Sequence, residues 1–424
     1  MNRITRLIVI CHISVLFLPI ALFGQTSKVV SVSTNGQSGD GPSFLPHLSR
    51  NGRYVVFRSL ATNFTSKDTG GVAQIYLHDR KLGTTFLISQ NAEGEVANAG
   101  NSPPFISATG RYVAWGTTAS NLVPGDTNEL SDCFIYDRVL NTLERRVVQR
   151  NGEDIAACFD ILETRPVISL SKDGRYAAIQ ASGGVWVLDR KTTSLTLLSD
   201  VDGNGVGGRP VISADGSTVV FNSPNANIGS TGASKGTSNI WTYDIANGTY
   251  ELISKGFNGD GADKSCERAS ISDDGRRVLY DSSAQNLVDD GSTNEGVFLY
   301  DRDTGITIRV SKDLDGNPVD STTEFSYISG NGLFAAFSTR GVLSSELNTD
   351  DFKIGIYDIE AETTLPIGTA AGETSADRTS LYPVMDGVGY RTVFFSQATN
   401  ISEDDTHGVG QVFLDTVVHC ENSS

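Results

Sequence analysis

The chain has 424 residues, with 50 Asp and Glu against 33 Lys and Arg, for a net charge of −17. That balance argues against nucleic acid or an anionic membrane as partner, because both would repel it and no Lys/Arg cluster offsets it. Met is scarce and Gly abundant, at 2 and 44 residues, beside much Ser, Thr, Asn and Asp, which excludes a mainly helical fold.

In chain order, Arg3 and Arg6 flank an apolar run from Leu7 to Phe23. The layout is that of a secretory signal peptide over 1–24, and the run is short for a membrane span of ~20 residues. No lipobox Cys ends the run, so a lipoprotein is not expected. The mature chain is expected outside the cytoplasm, secreted or periplasmic. KVVSVSTNG (28–36) follows as a short strand.

Then a phrase repeats: an apolar stub, a polar turn with Gly, and an apolar run. Its copies are PHLSRNGRYVVF (46–57), PFISATGRYVAW (104–115), ISLSKDGRYAAI (168–179), PVISADGSTVVF (210–221), ASISDDGRRVLY (269–280) and SYISGNGLFAAF (326–337). A degenerate seventh is YPVMDGVGYRTVFF (382–395), with Gly387 taken as its turn glycine. Asn or Asp before Gly between apolar runs marks a hairpin, because the tight turn needs positive φ. Each copy is read as strands a and b.

A second phrase follows each first one: IYLHDR (75–80), FIYDR (134–138), VWVLDR (185–190), IWTYD (240–244), VFLYDR (297–302), IGIYD (354–358) and QVFLD (411–415). These aromatic and β-branched runs read as strand c. A turn and a short strand d come next, ending in pairs such as Ile88-Ser89, Leu198-Ser199 and Val310-Ser311.

The turn glycines recur every 42 to 64 residues. Four strands at that period describe a propeller blade. There are seven a–b hairpins and seven c strands but six following d strands. KVVSVSTNG resembles the missing one. The expectation is therefore an all-β fold: one seven-bladed propeller over 28–418, closed by the N-terminal strand, with a tail at 419–424. Six blades is the alternative if 382–415 or the short third unit is not a full blade.

These repeats, with SNLVPGDTN (120–128) and ISADG before VVF (212–221), resemble the TolB-type, WD40-like propeller family over residues 28–415. The resemblance implies the propeller fold. TolB carries a small α/β domain ahead of six blades; neither feature is read here, so its role in envelope maintenance does not carry over.

Chemistry is sparse. Gly232-Ala233-Ser234-Lys235-Gly236 matches a nucleophile elbow but lacks the strand before it and helix after it. Gly203, Gly205 and Gly208 match a dinucleotide fingerprint but precede a strand. Asp200-Val201-Asp202 and Asp313, Asp315, Asn317 have calcium-loop spacing without the closing Glu, and Asx turns account for them. The b–c loops hold Asp68, Asp126, Asn128, Asp132, Asp289, Asp290, Asp350, Asp351, Asp404 and Asp405. Among them Asp126, Asn128 and Asp132 present oxygens at spacing suited to calcium. The Asp ending each c strand (Asp79, Asp137, Asp189, Asp244, Asp301, Asp358, Asp415) recurs in every blade, which suits an ion pair or turn bond better than catalysis. His47, His78, His407 and His419 form no ligand pair.

Cys133 and Cys158 fall on one face of a blade and are placed to meet; Cys266 and Cys420 are expected to stay unpaired. The function expected is an exported, monomeric, non-catalytic scaffold whose acidic loops meet a protein or glycan partner. The alternative is a polysaccharide hydrolase or lyase with carboxylates at the mouth of the central channel.

Overall fold

The computed structural model describes residues 8–10, 27–158, 165–199, 208–225, 228, 237–319, 321–341, 343, 351–369, 376–404 and 406–419. Among them are seven sheets, each of four antiparallel strands ordered a-b-c-d outward from a common axis, with Ile8–Ile10 added to the last as a fifth, parallel strand. The a and b strands are Ser43–Leu48 and Tyr54–Ser59 in blade 1, and Phe105–Ile106 and Tyr112–Thr117 in blade 2. Blade 3 uses Ile168–Leu170 and Tyr176–Ala181, blade 4 Gly208–Ile212 and Thr218–Ser223, and blade 5 Cys266–Ile271 and Arg277–Ser282. Blade 6 uses Thr323–Ile328 and Phe334–Thr339, and blade 7 Ser380–Met385 and Arg391–Ser396. The seven-bladed propeller expected from the repeat is the fold found.

The seventh blade takes its outer strand from the other end of the chain. Lys28 pairs with Leu414 and Val29 with Phe413, against strand c at Gln411–His419. Chemistry as well as register repeats here. Ser89, Ser199, Ser254 and Ser311, each just past a d strand, accept the backbone N–H of Ile75, Val185, Ile240 and Val297 at 2.8–3.0 Å. Ser31 accepts from Val412 N at 3.0 Å in the same way. Asp404, in the b–c loop of blade 7, accepts from Val29 N at 3.1 Å. Closing the ring leaves no open edge on strand c of blade 7.

Among the described residues seven apolar clusters form the core, one between each pair of neighbouring blades. Strands b and c are buried on both faces, which explains their unbroken apolar runs. The turn glycine joins the blades. Gly110 has φ +75°, and a Cβ there would lie 2.2 Å from the Tyr54 ring of the preceding blade. Gly174 stands in the same relation to Tyr112, at 2.3 Å.

Register corrects two readings of the seventh unit. The hairpin turn glycine is Gly389, whose N–H bonds Asp386 O, as Gly52 bonds Ser49 O in blade 1. Strand pairing sets Thr416 opposite Arg391, where blade 1 sets Asp79 opposite Tyr54. Asp415 therefore sits one residue early, in the place of His78, and points to the other side of the strand.

The leader expected over 1–24 lies outside the described residues, apart from Ile8–Ile10, which runs parallel to Val417–His419. Also outside them are Gly232–Gly236, Asp200–Gly205, Asp350, Asp405 and Cys420. Among the described residues no helix is long and apolar enough to cross a membrane.

Candidate functional site at the channel mouth

Strand a is innermost, so the seven a strands enclose the axis. At the face carrying the a–b turns the channel is shut. Successive turns are tied by Arg50 N to Ala108 O, Thr109 Oγ1 to Lys172 O, Lys172 N to Ala214 O and Asp215 N to Asp273 O. Asp273 N to Gly330 O, Asn331 N to Gly387 O and Gly387 N to Arg50 O complete the circle. Across it, Arg50 Nε pairs with Asp273 Oδ1 at 2.7 Å, from blade 1 to blade 5.

Above this plug lies a cavity of about 70 Å³ to which all seven blades contribute. Five of its residues are prolines: Pro46, Pro103, Pro166, Pro210 and Pro383. Its base holds His47, Phe105 and Tyr327, and its rim Phe325, Tyr382, Arg165 and Arg209. Among the described residues no Asp or Glu lines it.

A bulge recurs at the rim. Strand a shifts register in blades 1, 4, 5, 6 and 7. In each case one residue adopts left-handed φ: Leu45, Arg209, Arg268, Phe325 and Tyr382, at +53° to +58°. Each costs about 1 kcal/mol in a non-glycine residue, and bulges of this kind re-aim side chains. Four of the five line the cavity.

Arg165 reaches from blade 3 across the mouth. It donates through Nη1 to Arg268 O at 3.0 Å and through Nη2 to Ser326 O at 2.8 Å. Both acceptors are neutral carbonyls, so its charge has no carboxylate partner among the described residues. Burial, with Arg268 and Arg209 nearby, lowers its pKa to about 10 against the pull of Asp281. Arg209 pairs with Glu267 at 3.3 Å. Behind the rim, Arg268 lies 3.3 Å from Asp281, a buried carboxyl raised above its ordinary pKa by desolvation.

His47 is committed at the base. Its Nδ1 faces the Ile106 N–H at 3.4 Å and its Nε2 the Tyr327 hydroxyl at 3.3 Å. Burial and Arg50 push its pKa down to about 3, so the ring is neutral at any physiological pH.

The acids expected in the b–c loops are on the same face but are largely engaged. Asp126 and Asp132 both pair with Arg145, at 2.9 and 2.5 Å, so a guanidinium stands where these two carboxylates converge. Asn128 lies beside Asp132, and its amide also donates to Asp154 at 3.2 Å. Arg309 repeats the arrangement in blade 5, reaching Asp290 at 2.5 Å. Asp351 accepts from the Thr379 hydroxyl, Asp68 from Gly70 N. Asp313 closes an Asx turn, accepting from Asp315 and Asn317 N. Among the described residues no group of three His, Cys, Asp or Glu side chains converges as a metal site.

The Asp ending strand c is structural where register keeps it in place. Asp79, Asp137, Asp189 and Asp301 pair with Arg53, Arg111, Arg175 and Arg276 of the a–b turn in their own blade. The Arg that follows serves the joint with the preceding blade. Arg138 donates to Gly110 O and lies 4.1 Å over the Tyr54 ring, and Arg190 lies over Tyr112.

Cys133 and Cys158 form a disulfide, and Cys266 is buried without one. The bond fastens strand c of blade 2 to the segment leading toward Arg165.

No family model matches the sequence, and no curated protein matches it. Solved structures do match by shape. The propeller domain of the Trilobed protease from Pyrococcus furiosus has TM-score 0.54 at 14% identity, covering 88% of this chain and 95% of that one. An oligogalacturonate lyase from Vibrio parahaemolyticus has TM-score 0.53 at 13% identity, covering 93% and 90%. TolB from Acinetobacter baumannii has TM-score 0.41 at 17% identity; the match covers 69% of this chain and spans 59% of that one. At these identities the first two likenesses concern fold alone, and the chain shares with them the architecture of a β-propeller.

Proposed function

We propose that the chain is an extracytoplasmic, non-catalytic binding module that takes an anionic ligand, carried by a protein or a glycan, at the mouth of its channel. One observation carries this reading. In a chain of net charge −17, the cavity shared by all seven blades presents two arginines and, among its described lining, no carboxylate. An anion gains there from charge-assisted bonds in a partly dry setting. The imidazole at the base is neutral, weakly basic and already bonded, which favours holding over turnover. The Cys133–Cys158 bond and the apolar leader after Arg3 and Arg6 support an oxidising compartment outside the cytoplasm. The acidic loops around the mouth fit a role in rejecting ligands of the wrong shape or charge distribution.

The alternative, a polysaccharide hydrolase or lyase, has the shared fold of oligogalacturonate lyase in its favour and no acid in the described cavity lining. One titration separates them. Glucuronate-containing and neutral oligosaccharides, with Glu-rich and Gln-rich peptides of equal length, are added to the purified chain and followed by calorimetry and mass spectrometry. Binding of the acidic members only, weakened by salt and with ligand masses unchanged, is expected. Equal binding of neutral members, or clean cleavage of any member, overturns the proposal.

A further inference from the structure

The cavity beneath the rim restricts the ligand further. Five of its described lining residues are prolines, which have no backbone N–H to offer. The polar groups around its base are already engaged. Ser169 Oγ accepts from Ile212 N at 3.0 Å, and Ser270 Oγ accepts from Ile328 N at 3.2 Å. Ser326 Oγ donates to Asp281, and His47 faces Tyr327. A sugar ring seated there would bring hydroxyls that find few partners, and burying a hydroxyl without one is unfavourable. An aliphatic group loses nothing.

Size sets the second limit. About 70 Å³ is roughly half of the ~150 Å³ apolar cavity that accepts a benzene ring. The occupant is a few carbons, not an aromatic ring. Charge sets the third. Arg165 spends two of its N–H donors on carbonyls, and a guanidinium has five. Arg209 holds Glu267 at 3.3 Å, a contact that an incoming carboxylate can share or replace. Apolar cavity and cationic rim adjoin, since Arg165 and Arg209 line the same cavity as Pro46, Val211 and Pro383.

Building on the proposed function, we propose that the channel mouth recognises a carboxylate next to a short branched aliphatic group. Arg165 and Arg209 hold the carboxylate and the aliphatic group fills the proline-walled cavity. A peptide chain end with a small aliphatic last residue has this chemistry, and so does a free short-chain acid. Arg165 is the residue that sets the preference for a terminal carboxylate, because it bridges blade 3 to blades 5 and 6 directly over the cavity.

Four probes test this by calorimetry on the full chain: acetyl-Gly-Gly-Val as free acid, its C-terminal amide, acetyl-Gly-Gly-Gly as free acid, and isovalerate. The valine acid is expected to bind at least tenfold tighter than the amide and severalfold tighter than the glycine acid. Arg165→Gln is expected to remove at least tenfold of that affinity, with the melting temperature within about 2 °C of the parent. Arg209→Gln is expected to act in the same direction, and serves if Arg165→Gln does not fold. Binding of the peptide acid alone identifies a chain end as the natural form; binding of isovalerate as tightly identifies a free acid. Equal affinity for acid and amide, or no binding of any probe at millimolar concentration, overturns the proposal. Equal affinity for the valine and glycine acids overturns the aliphatic part and leaves the anion-binding function standing.

Discussion

Asp415 shows how far one residue's chemistry depends on register. Four of its counterparts pair with an arginine of the a–b turn in their own blade and are held below the usual carboxylate range, Asp189 down to about 2. For Asp189 the first cause is the bond from Arg175. Asp415, displaced by one position, is buried instead, with one oxygen accepting from Gly368 N at 2.7 Å. Burial pushes its pKa up to about 6. The two cases have opposite signs. The folded state releases the Asp189 proton more easily than the unfolded chain, so that contribution is lost as pH falls from about 4 to about 2. The folded state holds the Asp415 proton more tightly, so stability declines as pH rises from about 4 to about 6. Asp415→Asn keeps the acceptor and removes the charge. We expect it to be more stable than the parent by up to about 3 kcal/mol at pH 8, with the gap closing near pH 4. Urea unfolding at both pH values checks this, and a gap independent of pH would contradict it.

At the scale of elements, the a–b hairpin serves two blades at once. Its glycine supplies positive φ and also the space into which the preceding blade's tyrosine packs, so Gly110 answers to both its own turn and Tyr54. Blade 2 carries an additional fastening. The hairpin of Val148–Arg150 and Glu153–Ile155 extends past its outer strand, and the disulfide joins positions 25 apart. Cross-linking a loop of that length restricts the unfolded chain by about 3 kcal/mol. Replacing both Cys133 and Cys158 with Ser is expected to lower stability by 2–4 kcal/mol, read by denaturant titration. Loss of protection from hydrogen exchange should concentrate at residues 153–158 and spread toward Arg165. If the disulfide also steadies the rim, the same variant weakens anion binding.

The whole molecule rests on the join between its two ends. Val30 N donates to Val412 O at 2.8 Å, and Ser31 Oγ to Gln411 Oε1 at 2.6 Å. Val30→Pro removes that N–H and tests the closure. Leaving the buried Val412 carbonyl short of this donor costs about 1–3 kcal/mol, so a fall in melting temperature of a few degrees is expected. Faster exchange at Gln411–Leu414 should accompany it. An unchanged melting temperature would mean that seven inter-blade cores hold the ring without its fastening strand.

Much of this architecture was legible in the sequence because it is written locally and many times. Asn/Asp-Gly turns, apolar b and c strands, and the Ile-Ser or Val-Ser endings each depend on a few adjacent residues. That is why Val30 and Ser31 could be matched to the other outer strands across nearly the whole chain. The seventh unit differs from its sequence pattern by one or two residues because Gly387 and Gly389 both fit the turn, and only strand pairing chooses between them. The site was not legible. Its arginines come from different blades, and the acids that stood out as clusters along the chain meet Arg145 and Arg309 in space. Sequence determined the blade, because a strand, a turn and a cap are set by neighbours; tertiary structure decided the channel, because its charge and shape exist only where seven separate strands converge on one axis.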